Sequence, residues 1–194
     1  MSEVLRSFVA LPVPAPANQQ LFEVGEALVD RLEPKGCKLR LVPRQQLHLT
    51  LAFLGQTPRD RLDQIIEQVA RVAIEHGEIH SQFDAFLALP HLRRAQVLAL
   101  GLSDPEGALQ RLAEDLAGRL HELGLFAPPR QFLAHVTVAR LNKPARLTVA
   151  DLDQPPPDHV ITFDTIRYLE SRLEPSGAIH TPLCEDQPLR RGLS

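Results

Sequence analysis

A seven-residue segment occurs twice in the 194-residue chain. His48-Leu49-Thr50-Leu51-Ala52-Phe53-Leu54 aligns with His135-Val136-Thr137-Val138-Ala139-Arg140-Leu141: four positions are identical, two exchange Leu for Val, and one differs. With eight histidines in a chain of this length, His-x-Thr should arise by chance roughly 0.3 times. Two copies in matching context point to a duplicated supersecondary unit. Each copy alternates as a strand, so residues i and i+2 point the same way and His and Thr share one face. The other face of the first copy carries Leu47, Leu49, Leu51 and Phe53, a row expected to lie under a helix. Burying that row fixes the register, because a one-residue slip would send His48 and Thr50 into the core.

The rest of the chain alternates between strand-like and helix-like stretches. Strands are expected at 4–11, 38–42, 46–54, 79–89, 95–102, 131–141, 159–169 and 178–183. Apolar stripes at helical spacing predict helices from Asn18 to Leu32, after Thr57-Pro58, and from Asp104-Pro105 to Gly124. Thr57 is expected to cap the second helix, with Pro58 in its first turn. The reading is one α+β domain of two similar lobes over residues 1–184, with 185–194 as a C-terminal tail.

Composition narrows the ligand. A net charge of −3 and the absence of Trp argue against a broad surface that coats nucleic acid through its phosphates or stacks many bases. Recognition of a nucleotide or one strand end by a few arginines fits better. No apolar run approaches the roughly 20 residues that span a bilayer, and Met1–Arg6 lacks a secretory layout and reads as the start of a strand. Cys37 and Cys184 lie far apart without CxxC spacing, so they are expected as reduced thiols of a cytoplasmic protein.

Two related strands set side by side by a pseudo-twofold would present two imidazoles and two hydroxyls to one cleft. That array suits a phosphodiester: one imidazole accepts a proton from an attacking oxygen, the other donates to the leaving oxygen, and the hydroxyls bind the non-bridging oxygens.

With RSFVALPVP at the start, VPRQQLHLTLAFLG over 42–55, HVTVAR over 135–140 and YLESRLEPSGAIHTPL over 168–183, the chain resembles the two-histidine (2H) phosphoesterases. Within them it is most similar to the bacterial and archaeal RNA 2′,3′-cyclic phosphodiesterases, also named 2′-5′ RNA ligases. The resemblance implies a bilobal α+β fold with two mainly antiparallel sheets flanking a central cleft, helices outside, and no metal or cofactor. It implies His48 as proton donor, His135 as proton acceptor, and Thr50 and Thr137 as phosphate ligands. Arg140 matches a further phosphate-binding arginine, but strict alternation sets it on the face opposite Thr137, so a bulge or strand end must turn it inward. The family commonly has Arg-Pro just before the second motif, where this chain has Leu133-Ala134. The implied partners are RNA ends or nucleotides with a 2′,3′-cyclic phosphate, with no membrane and no obligate protein partner; a monomer is expected.

Plainer readings stand beside these. A lone histidine on a strand is more often a satisfied core residue, and only the duplicated context favours catalysis. A metal site lacks an accompanying HExxH, carboxylate triad or Cys cluster. Arg140 stands between phosphate ligand and solvated charge, and Arg93-Arg94 reads as a solvated turn. Phe8 and Phe53 read as core, and histidines 76, 80, 91, 121, 159 and 180 as surface or structural. For the chemistry, hydrolysis of a cyclic phosphate competes with 2′-5′ ligation by the reverse reaction and with a non-catalytic nucleotide-binding module.

Overall fold

The computed structural model describes residues 3–127, 131–175 and 177–189. In chain order the elements are β1 (Val4–Pro12), α1 (Ala17–Leu32), β2 (Leu39–Leu41), β3 (His48–Pro58), α2 (Leu62–Glu75), β4 (Ile79–Leu89) and β5 (Ala95–Ser103). Then follow α3 (Ala108–Glu122), β6 (His135–Ala145), β7 (Val160–Phe163), β8 (Thr165–Glu174), β9 (Gly177–Pro182) and β10 (Gln187–Pro188). The strands pair antiparallel in the order β10-β8-β1-β3-β6-β5-β4-β7, with β2 also on β6 and β9 also on β8. β3 and β6 meet at the middle, joined through the single register pair Leu49↔Val136. The two expected sheets are therefore halves of one sheet, hinged where the motif strands touch.

Around that hinge the halves mirror each other. β8-β1-β3 on one side answers β4-β5-β6 on the other, and β1-α1-β3 answers β5-α3-β6. Each unit lends its helix to the opposite half: α1, leaving β1, packs on β2 and β6, whereas α3, leaving β5, packs on β3. The exchange gives both halves one continuous core, from Val9 and Leu21 through Leu49 and Leu112 to Val136 and Ile166. Gly25 permits the close approach of α1, since a Cβ there would meet Leu41 Cδ2 at 3.0 Å.

α1 runs as the sequence pattern suggests, to within one residue, whereas α2 and α3 start later. Thr57 does not cap α2: β3 runs on to Pro58, a 3-10 turn follows at Arg59–Arg61, and no side chain caps the helix at Arg61. The Thr57 hydroxyl is instead buried and hydrogen-bonded to Ser7 Oγ at 2.7 Å, which also accepts from the Tyr168 hydroxyl at 3.1 Å. Pairing to β1 outcompetes a local cap because it satisfies three buried hydroxyls at once. Asp104 lies outside α3, and its carboxylate accepts from Leu109 N and Gln110 N. The expected 159–169 strand is two, β7 and β8, broken at Asp164. The expected tail begins later than residue 185, since β10 pairs with β8 and Leu189 is buried in the core; residues 190–194 lie outside the described residues. No described helix is long and apolar enough to cross a membrane.

Candidate active site

The motif strands carry their histidines into the hinge. Extending Leu49↔Val136 by one residue each way sets His48 opposite Thr137 and Thr50 opposite His135. The two arrays thus face each other reciprocally, each imidazole across from the other copy's hydroxyl. Leu47, Leu49 and Leu51 are buried on the far face, at 3%, 0% and 5% exposure, which holds this register. A groove of about 340 Å³ opens over the motif face, with His48, Thr50, Thr137 and Arg140 in its wall. His135 is outside that wall, half-buried on β6, yet near enough for its charge to act on His48.

Both imidazoles are tethered alike. His48 Nδ1 lies 2.6 Å from the Gln46 carbonyl, and His135 Nδ1 lies 2.7 Å from the Leu133 carbonyl. A carbonyl oxygen only accepts, so in each ring Nδ1 carries the donated hydrogen and the neutral imidazole presents a bare Nε2. The tether needs only the backbone two residues upstream, so Leu133-Ala134 in place of Arg-Pro leaves it intact.

The surroundings differ. His48 sits among rings: Phe8 at 4.9 Å and His180 at 5.3 Å between centroids, with Phe8 and His180 4.8 Å apart. Phe8 forms, with Ala10 and Leu169, a small apolar cluster separate from the main core. Burial lowers the His48 pKa to about 4, opposed by the Gln46 hydrogen bond and reinforced by the charges of His180, Arg140 and His135. His180 is held below its ordinary value by burial and by Arg140.

A bulge in each motif strand settles the sixth position. On β6, Leu98 pairs with Ala139 and Ala99 with Thr137, leaving Val138 as the extra residue. Val138 and Ala139 are both buried, so alternation reverses and Arg140 turns to the groove beside Thr137. Burial and the neighbouring Arg6 charge lower its pKa, although the side chain stays open to solvent. On β3, Val9 pairs with Ala52 and Ala10 with Thr50, so Leu51 is the extra residue. The same reversal brings Phe53 to the groove, 46% exposed, which corrects its expected place in the core.

Three groove residues lay outside the motif reading. His180 was expected as surface or structural; β9, paired to β8, brings it against His48. Arg6 and Arg40 also line the groove. Arg6 shares its strand face with Phe8 and Ala10, an i, i+2 signal legible in the sequence, whereas nothing local marks His180. Arg93 and Arg94 sit in an exposed 3-10 turn between β4 and β5, and His76 and His80 have structural partners in Asp115 and Thr162, each at 3.0 Å. Among the described residues, no three His, Cys, Asp or Glu side chains cluster to hold a metal ion.

An antiparallel sheet folded about two facing His-x-Thr strands defines a two-histidine phosphoesterase fold. The chain belongs to the 2′-5′ RNA ligase superfamily, whose profile matches residues 20–172. It is 26% identical to the RNA 2′,3′-cyclic phosphodiesterase of Thermotoga maritima, over 94% of this chain and 95% of that protein. It is 30% identical to the RNA 2′,3′-cyclic phosphodiesterase of Escherichia coli K12, over 72% of this chain and 74% of the relative. The crystal structure of E. coli LigT in its apo form superposes with a TM-score of 0.76 at 26% identity, over 98% of this chain and 100% of LigT. LigT has also been solved in complex with 3′-AMP.

Proposed function

We propose that this protein hydrolyses the 2′,3′-cyclic phosphate at an RNA end, or on a nucleotide, to a 2′-phosphomonoester. The observation that carries the reading is the reciprocal array: two identically tethered imidazoles, each opposite the other copy's threonine, on one face of the paired motif strands. The relatives named for this activity support it.

His135 Nε2 takes a proton from water as the water oxygen bonds to phosphorus. The P–O3′ bond breaks, and His48 Nε2 gives its proton to the departing 3′ oxygen. Thr50 and Thr137 donate to the non-bridging oxygens and Arg140 offsets their charge. With a pKa of about 4, His48 is neutral near pH 7 in the ligand-free protein. The phosphate anion must therefore raise that pKa and recruit the proton before His48 can act as an acid. The substrate's own charge arms the donor. The site needs no metal and no cofactor. The catalytic unit is the bilobal domain expected over 1–184, which β10 extends to Leu189, working as a monomer. Cys37 and Cys184 are free thiols, which suits the cytoplasm.

The test is turnover of adenosine 2′,3′-cyclic phosphate in excess EDTA, with the product identified by phosphorus NMR. Full activity yielding the 2′-phosphate is expected. A 3′-phosphate product, binding without turnover, or loss of activity restored by one added metal would each overturn the reading. Nicked strands ending in a cyclic phosphate separate hydrolysis from 2′-5′ joining by product.

A further inference from the structure

Arg6, Arg40 and Arg140 reach the groove from β1, β2 and β6. Among the described residues, none of the three forms an ion pair. The carboxylate in this part of the wall, Glu174, pairs with none of them. Arg40 spans the gap between the halves: it leaves β2 and donates from Nη2 to the Pro175 carbonyl beside β9 at 3.4 Å. Arg6 lies over Phe53, its guanidinium carbon 4.8 Å from the ring centroid. Gathering three uncompensated cations is unfavourable for the empty protein, and an anion among them offsets it.

One cyclic phosphate carries one negative charge, and Thr50, Thr137 and Arg140 already meet it. Arg6 and Arg40 are left over, lining a contiguous space of about 330 Å³ that shares Arg40, Thr50 and Arg140 with the motif compartment. Resting on the reading above, we propose that Arg6, braced on the Phe53 ring, and Arg40 form a second anion subsite. It takes the 5′ phosphate of the nucleotide whose 2′,3′-cyclic phosphate faces the histidines. A strand that ends in a cyclic phosphate continues only on its 5′ side, so the nearest further phosphate lies there. Phe53 braces the Arg6 guanidinium from its ring side, which leaves the guanidinium N–H groups to meet the phosphate. The preferred ligand is thus a 5′-phosphorylated or strand-borne cyclic end, with a free nucleoside cyclic phosphate as the weaker one.

Calorimetric titration of the wild-type protein with adenosine 2′-monophosphate and adenosine 2′,5′-bisphosphate reads the subsite without turnover. The bisphosphate is expected to bind about tenfold tighter or better, with an advantage that shrinks as salt rises. Arg6→Gln and Arg40→Gln should each bring the ratio towards one; both residues are exposed, and circular dichroism checks that the variants fold. Equal wild-type affinities for the two nucleotides, or a ratio that survives both substitutions, would overturn the subsite. The same comparison in kcat/KM uses adenosine 2′,3′-cyclic phosphate with and without a 5′ phosphate, and a ratio of about ten ties the subsite to the reaction. A binding ratio without hydrolysis of either cyclic substrate supports the subsite and removes the hydrolase reading. Hydrolysis at equal kcat/KM does the reverse.

Discussion

β3 and β6 are copies of one strand that has kept its geometry and changed its company. Both begin at the motif histidine and run 11 residues, tether Nδ1 to the carbonyl two residues back, and carry a bulge after the threonine. His48, however, is pressed among Phe8 and His180 and pushed down to a pKa of about 4. His135 follows Leu133, which is 47% exposed. At the sixth position the copies present Phe53 and Arg140 to the same groove. Duplication supplies two imidazoles tethered alike; different neighbours set them apart, and His48 takes the acid role only once the substrate's charge has raised its pKa.

The largest expected effect tests whether both copies are needed. His48→Ala and His135→Ala should each lower kcat by about 10²–10⁴-fold, with circular dichroism unchanged. Near-normal turnover in either variant would break the pairing. Next come the two faces of β3. Leu49→Ala, on the fully buried face, should cost about 2–5 kcal/mol in urea unfolding. Phe53→Ala, on the groove face, should cost far less, and equal losses would contradict the bulge that turns Phe53 outward.

The third prediction separates the histidines by pH. His48 has a folded pKa of about 4, below the 6.5 of an unperturbed histidine, so between those values the unfolded chain binds a proton that the folded one refuses. Its contribution is present above about pH 6.5 and is lost as pH falls towards 4, up to roughly 3 kcal/mol. Unfolding at stepped pH should show a loss in this window that His48→Phe diminishes; an undiminished loss would place its origin elsewhere. The smallest effect concerns the ring cluster. His180→Ala opens His48 to water and removes a repelling charge, so the His48 pKa should rise, read by NMR titration of its ring protons. An unmoved or lowered pKa would show that His180 does not help to make the copies unequal.

The sequence by itself determined the repeated strand, the side on which His48 and Thr50 lie, and the apolar row beneath them; the resemblance added that a bulge or strand end must turn Arg140 inward. Those are short-range properties: a period of two, a buried stripe, and identity between copies. The tertiary structure decided the rest. Thr57 reads as a helix cap only until β1 and β8 surround it with Ser7 and Tyr168. Phe53 reads as core because alternation is assumed unbroken, and the extra residue at Leu51 becomes visible only against its partner strand. The repeat did contain a hint, since Arg140 and Phe53 hold the same position and had to turn together. His180 carried no local signal. It enters the site because β9 pairs with β8, which pairs with β1, and hydrogen bonds between strands more than a hundred residues apart are set by the whole sheet.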